Sequence, residues 1–209
     1  MLRRSFFSRF GGAAAVLGLT GPSQAPPAAK PFEAARHAED DWLQQMPGVH
    51  RVIFDTWTAS KFAEGVLFAG NYAHTNVDAY KLSEKDFALV ICTRHNTAPF
   101  AFNDAMWAKY GKHFCTRMEW VDPKTKEVPS TNVYGRQLAN LGKAGMQFAI
   151  CSLTTRAYTR IIADAMATKA DDVYNELSAN TIAPAHLVPA GVVTVSRAQE
   201  RGYTVVAVG

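Results

Sequence analysis

The 209-residue sequence contains neither G-x-x-x-x-G-K-[ST] nor a G-x-G-x-x-G after a β-rich run. It therefore lacks both common devices for cradling a nucleotide phosphate on backbone N–H groups. G-x-S-x-G is also missing, which removes the nucleophile elbow of the α/β-hydrolase type. No apolar run approaches the roughly 20 residues that a hydrocarbon core requires, so no stable membrane anchor is expected. The body of the chain lacks net charge as well. All 18 acidic residues follow Lys30, whereas Arg3, Arg4, Arg9 and Lys30 stand at or before that point, leaving 18 of the 22 basic residues beyond it. The pI of about 9.0 thus belongs to the N-terminus. With no basic stripe interleaved with aromatics in the body, no nucleic-acid partner is expected. Cysteine is scarce: Cys92, Cys115 and Cys151 are the full set, and an odd count leaves at least one thiol unpaired within a monomer.

What the N-terminus does contain is an arginine pair, "RRSFF", then a weakly apolar stretch from Gly11 to Leu19 and a Pro/Ala-rich tail. This resembles a twin-arginine export signal, with "SQA" ending at Ala25 as a small-x-small cleavage site. The expected organisation is a signal and linker over residues 1–30 and a single α/β domain over 31–209, with the mature protein in the periplasm. An oxidising compartment admits a Cys92–Cys115 disulfide, and sequence alone leaves that pairing open.

Along the body, β-rich runs alternate with helical spacing. Val52–Phe54, Phe87–Cys92, "QFAIC" and Tyr203–Val208 read as strands, and the second is apolar without alternation, as in a parallel strand covered on both faces. Helices are predicted from Ala59, with Phe62, Val66, Ala69, Ala73 and Val77 on one face, over Tyr134–Lys143, over about Thr154–Asn180, and from Gly191 to a stop at Gly202. The fold class expected is α/β: an open three-layer, mostly parallel sheet of four to five strands with helices on both faces. Lys112–Asn132, polar and carrying a turn signal at Asp122–Pro123, reads as an inserted hairpin or lid.

In such sheets ligands gather outside the carboxyl ends of the strands. "FAICSLTTRAY" puts Cys151 at one of these ends and directly before a helix, whose N-terminal dipole favours a thiolate. Thr154 and Arg156 follow in the first turns. "CTRHNTAPF" brings Arg94, His95 and Asn96 to the end of the second strand, where a cation or base can serve the same thiol. The bland reading stands beside this one: free cysteines are among the most buried and inert residues, and Asn96 to Pro99 is turn chemistry. Cys92, His95, His113 and Cys115 match no standard zinc spacing, so no metal is expected.

"FAICSLTTRAY" and the ending "HLVPAGVVTVSRAQERGYTVVAVG" resemble the DsrE/DsrF-like family of sulfur-relay proteins over about residues 49–209. The resemblance implies an open α/β fold, oligomerisation with further copies, and Cys151 as a sulfur carrier in an apolar-Cys-x-x-x-x-Arg setting with Arg156; no cofactor is expected. The partners implied are a sulfur-species donor or a thiol acceptor protein. The 93–111 stretch resembles an exported branch of the family. The expected function is sulfane-sulfur binding or transfer as a persulfide on Cys151, with Arg94, His95, Asn96, Thr154 and Arg156 binding the substrate. The competing expectation is a non-catalytic ligand-binding or assembly module that uses the 94–110 loop, with Phe100, Phe102 and Trp107 as its recognition patch.

Overall fold

A computed structural model describes residues 32–209. The twin-arginine signal and its cleavage site lie outside the described residues. From Glu33 onward the chain forms one compact unit. Its centre is a sheet of five parallel strands in the order β4-β3-β2-β1-β5: β1 (His50–Thr56), β2 (Phe87–Thr93), β3 (Gln147–Cys151), β4 (Ala185–Val188) and β5 (Thr204–Val208).

Seven helices surround the sheet among the described residues: α1 (Asp41–Gln45), α2 (Phe62–Tyr80), α3 (Asp104–Met118), α4 (Gly135–Lys143), α5 (Ser152–Met166), α6 (Ala170–Ala179) and α7 (Gly191–Glu200). Alternation along the strands assigns the two faces. Val52, Phe54, Leu89, Ile91, Phe148 and Ile150 pack into a large core with α2, α3 and α5. Ile53, Val90, Cys92, Ala149 and Val188 face a smaller core with Leu43 of α1 and Ala198 of α7. The three-layer α/β arrangement is therefore the observed one, with every strand parallel.

The middle strands are apolar because both faces are covered: all seven residues of β2 are buried. The edge strand β4 is half-exposed and only four residues long, and its "AHLV" carries too little hydrophobic signal to read as a strand beforehand. The helix expected over about 154–180 is two helices. They break at Ala167, which takes a left-handed φ of 50° although no glycine or proline marks the place.

The segment expected as an inserted hairpin is not built of strands. Lys112–Met118 are the last turns of α3, and residues 119–132 form a loop around a turn in which the Lys126 N–H donates to the Asp122 carbonyl at 2.8 Å. Trp120 and Asn132 anchor this loop in the interior. The expected 94–110 loop is likewise mostly helical, as a 3-10 segment (His95–Ala101) followed by α3, whose N-cap Asn103 accepts the Met106 N–H at 3.3 Å. Phe100, Phe102 and Trp107 are core residues at 0%, 0% and 1% exposure, so they form no recognition patch.

Candidate active site at the carboxyl edge of the sheet

The first three strand-to-helix connections keep to the face that carries α2, α3 and α5. After β4 the chain crosses to the other face, forms α7, and returns to place β5 beside β1. The loops leaving β3 and β4 therefore diverge to opposite faces, and divergence of neighbouring strand connections marks the crevice where open α/β sheets bind ligands. Cys151 is the last residue of β3 and pairs with Val188 of β4, so it stands at this switch point.

The Cys151 side chain is 5% exposed. Its residue is also the N-cap of the 15-residue α5, with extended backbone angles of φ −67° and ψ 108°. No α5 amide donates to the sulfur; its partner is the Thr154 hydroxyl, with Oγ1 3.3 Å from Sγ. The same Oγ1 accepts the His95 main-chain N–H at 3.1 Å. A hydroxyl has one proton, and with a lone pair taken by His95 that proton is directed at sulfur. The chain His95 N–H to Thr154 O–H to Cys151 Sγ is thus polarised toward whatever negative charge the sulfur carries. Thr155, fully buried, donates its hydroxyl to the Cys151 carbonyl at 3.0 Å and fixes the turn.

His95 reaches this position through a left-handed φ of 49°, a conformation unusual for a non-glycine residue and one that concentrates at functional sites. Its imidazole is exposed, and the residue meets Thr154 through its main-chain N–H. Asn96 supplies its own N–H to the Trp57 carbonyl at 3.0 Å. Thr97 buries its hydroxyl between the strand ends, accepting the Arg94 N–H at 3.1 Å and lying 2.8 Å from the Thr56 carbonyl.

Two of the expected substrate-binding residues are engaged elsewhere. Arg156 lies over the Tyr174 ring, 3.9 Å from its centroid, and 3.6 Å from Asp171, so it joins α5 to α6. Arg94 makes a bidentate pair with Asp55, Nε to Oδ1 at 2.8 Å and Nη2 to Oδ2 at 2.9 Å, and stacks on Trp57 with its Cζ 4.8 Å from the ring centroid. Sequence reasoning missed Asp55 and Trp57. The available signal was a lone carboxylate at the end of the apolar run "VIFD", a position where an unpaired charge is costly.

Gly191, the first residue of α7, completes the wall. A Cβ there would come within 2.8 Å of Arg94 Cβ and 3.2 Å of Cys92 Sγ, so the close approach of α7 requires glycine. The three cysteines are free. Cys92 and Cys115 belong to cores on opposite faces of the sheet, which precludes a disulfide between them in this fold. Burial pushes the Cys92 thiol far above its ordinary range, helped by the Asp55 carboxylate, and pushes the Cys115 thiol up to about 11. Neither is a ready thiolate at neutral pH. Among the described residues no group of three or more His, Cys, Asp or Glu side chains is placed to hold a metal, and no helix is long and apolar enough to cross a membrane. Large cavities lie away from Cys151: about 590 Å³ beside Arg36, Gln44 and Arg201, and about 330 Å³ between α2 and α4.

Replacing Thr154 with valine keeps the volume and removes the proton aimed at sulfur. We expect the midpoint of Cys151 alkylation against pH to move about one unit to the alkaline side, since a hydrogen bond to a charged group is worth about 1.5 kcal/mol. Iodoacetamide labelling followed by peptide mass measurement checks this. An unmoved midpoint would show the hydroxyl to be irrelevant to the thiolate.

The fold and site define an open parallel α/β protein with a thiol at its switch point. In comparisons with known proteins, no family model, curated sequence or solved structure matches the chain.

Proposed function

We propose that the protein is a DsrE-like sulfur carrier of the periplasm that holds sulfane sulfur as a persulfide on Cys151. The observation that carries this reading is the Thr154 hydroxyl, oriented by the His95 N–H and directed at a sulfur that caps α5 at the sheet's switch point. A structural cysteine needs none of these. The sequence resemblance of "FAICSLTTRAY" to sulfur-relay proteins points the same way.

In the loading step the Cys151 thiolate attacks the outer sulfur of a donor R–S–SH. The donor's S–S bond breaks, its electron pair leaves on RS⁻, and Cys151 becomes Cys–S–SH. With thiosulfate the leaving group is sulfite. An acceptor thiolate then attacks the outer sulfur and Cys151 departs as thiolate, so the cycle needs no external oxidant or reductant. The helix dipole and the Thr154 hydroxyl stabilise the sulfur anion at the start and end of each step.

The test is intact-protein mass after polysulfide or thiosulfate treatment. Wild-type protein is expected to gain about 32 Da, the mass of one sulfur atom, reversibly under dithiothreitol, and Cys151→Ser is expected to gain nothing. Equal gain in the two proteins, or gain in neither, would refute the assignment.

A further inference from the structure

Arg94 stands next to β2 in register with Cys151 on β3, because Thr93 pairs with Ile150 and each chain then advances by one residue. By strand alternation both side chains leave the α7 face, and Gly191 of α7 lies against the Arg94 stem. The guanidinium nevertheless turns the other way. Both of its carboxylate bonds go to Asp55 on β1 and its stacking partner is Trp57, just past the end of β1. The sheet order puts β2 between β1 and β3, so this docking site lies on the far side of β2 from Cys151. Asp55 is 7% exposed and in the strand itself, which makes the docking point rigid.

We propose that Asp55 and Trp57 form a latch that holds Arg94 away from Cys151 and thereby sets the reactivity of that thiol. The inference deepens the sulfur-carrier reading and rests on Cys151 being the reactive group. Asp55 is a positioning residue that acts through Arg94. While latched, the arginine charge is largely offset by the carboxylate and acts on Cys151 only at a distance, so the close support of the thiolate comes from Thr154 and the α5 terminus. Once released, the long side chain can swing toward β3. A cation within about 4–6 Å of a thiolate lowers its pKa by about 1–3 units. The groups facing Arg94 are Asp55 on β1, Cys92 on β2 and Cys151 on β3, whereas the first turn of α7 offers only Gly191, Val192 and Val193. The nearest charge on α5, Arg156, is held by α6.

The test is iodoacetamide alkylation of the full chain across pH 6 to 10, with the label assigned by peptide mass. Asp55→Asn is expected to shift the Cys151 midpoint at least one unit to the acid side and to raise the neutral-pH rate about tenfold. Adding Arg94→Leu to that variant should return the midpoint to within a few tenths of wild type. A midpoint that stays put in Asp55→Asn while its melting temperature falls would overturn the latch, as would a shift that persists in the double variant. Should Asp55→Asn fail to fold, Trp57→Leu loosens the same latch; a smaller acid shift supports the proposal and an unmoved midpoint overturns it. Alkylation needs no sulfur donor. An acid shift without any polysulfide-dependent mass gain therefore leaves the latch standing and the carrier reading fallen, and mass gain with no shift does the reverse.

Discussion

Phe100→Ala is expected to lower the unfolding free energy by about 3 to 5 kcal/mol, the range for emptying a buried aromatic site. Phe100 is fully buried in the 3-10 segment that follows β2. Its ring stacks on Phe62 and Trp107, with centroids at 4.7 and 5.5 Å, and meets Trp120 and Tyr134 edge-on at 5.1 and 4.9 Å. Those four rings come from α2, α3, the 119–132 loop and the approach to α4, so no single element can move to fill the gap. The Phe100 carbonyl is also fixed, accepting the Asn132 side-chain amide at 2.7 Å. Against a typical total of about 5 to 15 kcal/mol, the loss removes roughly a fifth or more of the stability. A urea denaturation series on the two proteins reads it directly. A cost below about 1 kcal/mol would mean that this segment is not the hub of the large core.

Arg94→Met should cost about 2 to 3 kcal/mol. Removing one partner of a buried ion pair costs about 3 to 5 kcal/mol because the remaining charge is stranded. The Arg94 side chain keeps 23% exposure against 10% for Asp55, so solvent screens part of that penalty and the lower figure applies. The methionine keeps much of the stem that packs on Gly191 but not the guanidinium over Trp57. Asp55→Leu combined with Arg94→Met should recover most of the loss, since replacing both charges leaves none unpaired. A double-mutant cycle from denaturation midpoints measures the coupling, and additive losses from the two sites would contradict the pair's role.

The two variants probe different links between sequence and site. The layers and the parallel sheet were legible because Phe87–Cys92 and Phe148–Ile150 are apolar without alternation, the mark of strands covered on both faces. The helix from Gly191 was legible for the same kind of reason, from its spacing and its Gly202 stop. β4 was not, because an edge strand of four half-exposed residues has almost no pattern of its own. The break at Ala167 was invisible since alanine ordinarily continues a helix; its left-handed angle closes α5 locally, with the Ala167 and Thr168 main-chain N–H groups both donating to the Ala163 carbonyl.

At the site, the position of Cys151 could be read from the order strand, cysteine, helix, and Thr154 from its place in the first turn. The directions of Arg94 and Arg156 could not. Both lie within a few residues of the right edge of the sheet, but a long side chain goes to the carboxylate or ring that tertiary structure offers, and Asp55, Asp171 and Tyr174 are distant in sequence. The aromatics of the 94–110 stretch failed as a recognition patch for a related reason. A segment rich in phenylalanine and tryptophan after a buried strand is as easily a lid over the core as a surface, and here it closes one end of the large core. What remains at the edge is a small, well-supported thiol with a latched cation on the other side of its neighbouring strand.

Under the proposed function this thiol, and neither of the other two, carries the sulfur. The most direct measurement is peptide-resolved mass spectrometry of the native chain after polysulfide loading and alkylation of the resulting persulfides. The extra sulfur is expected on the peptide containing Cys151, with Cys92 and Cys115 unmodified because burial holds their thiols protonated. Sulfur on either of those peptides, or a Cys151 peptide recovered without it, would refute Cys151 as the carrier.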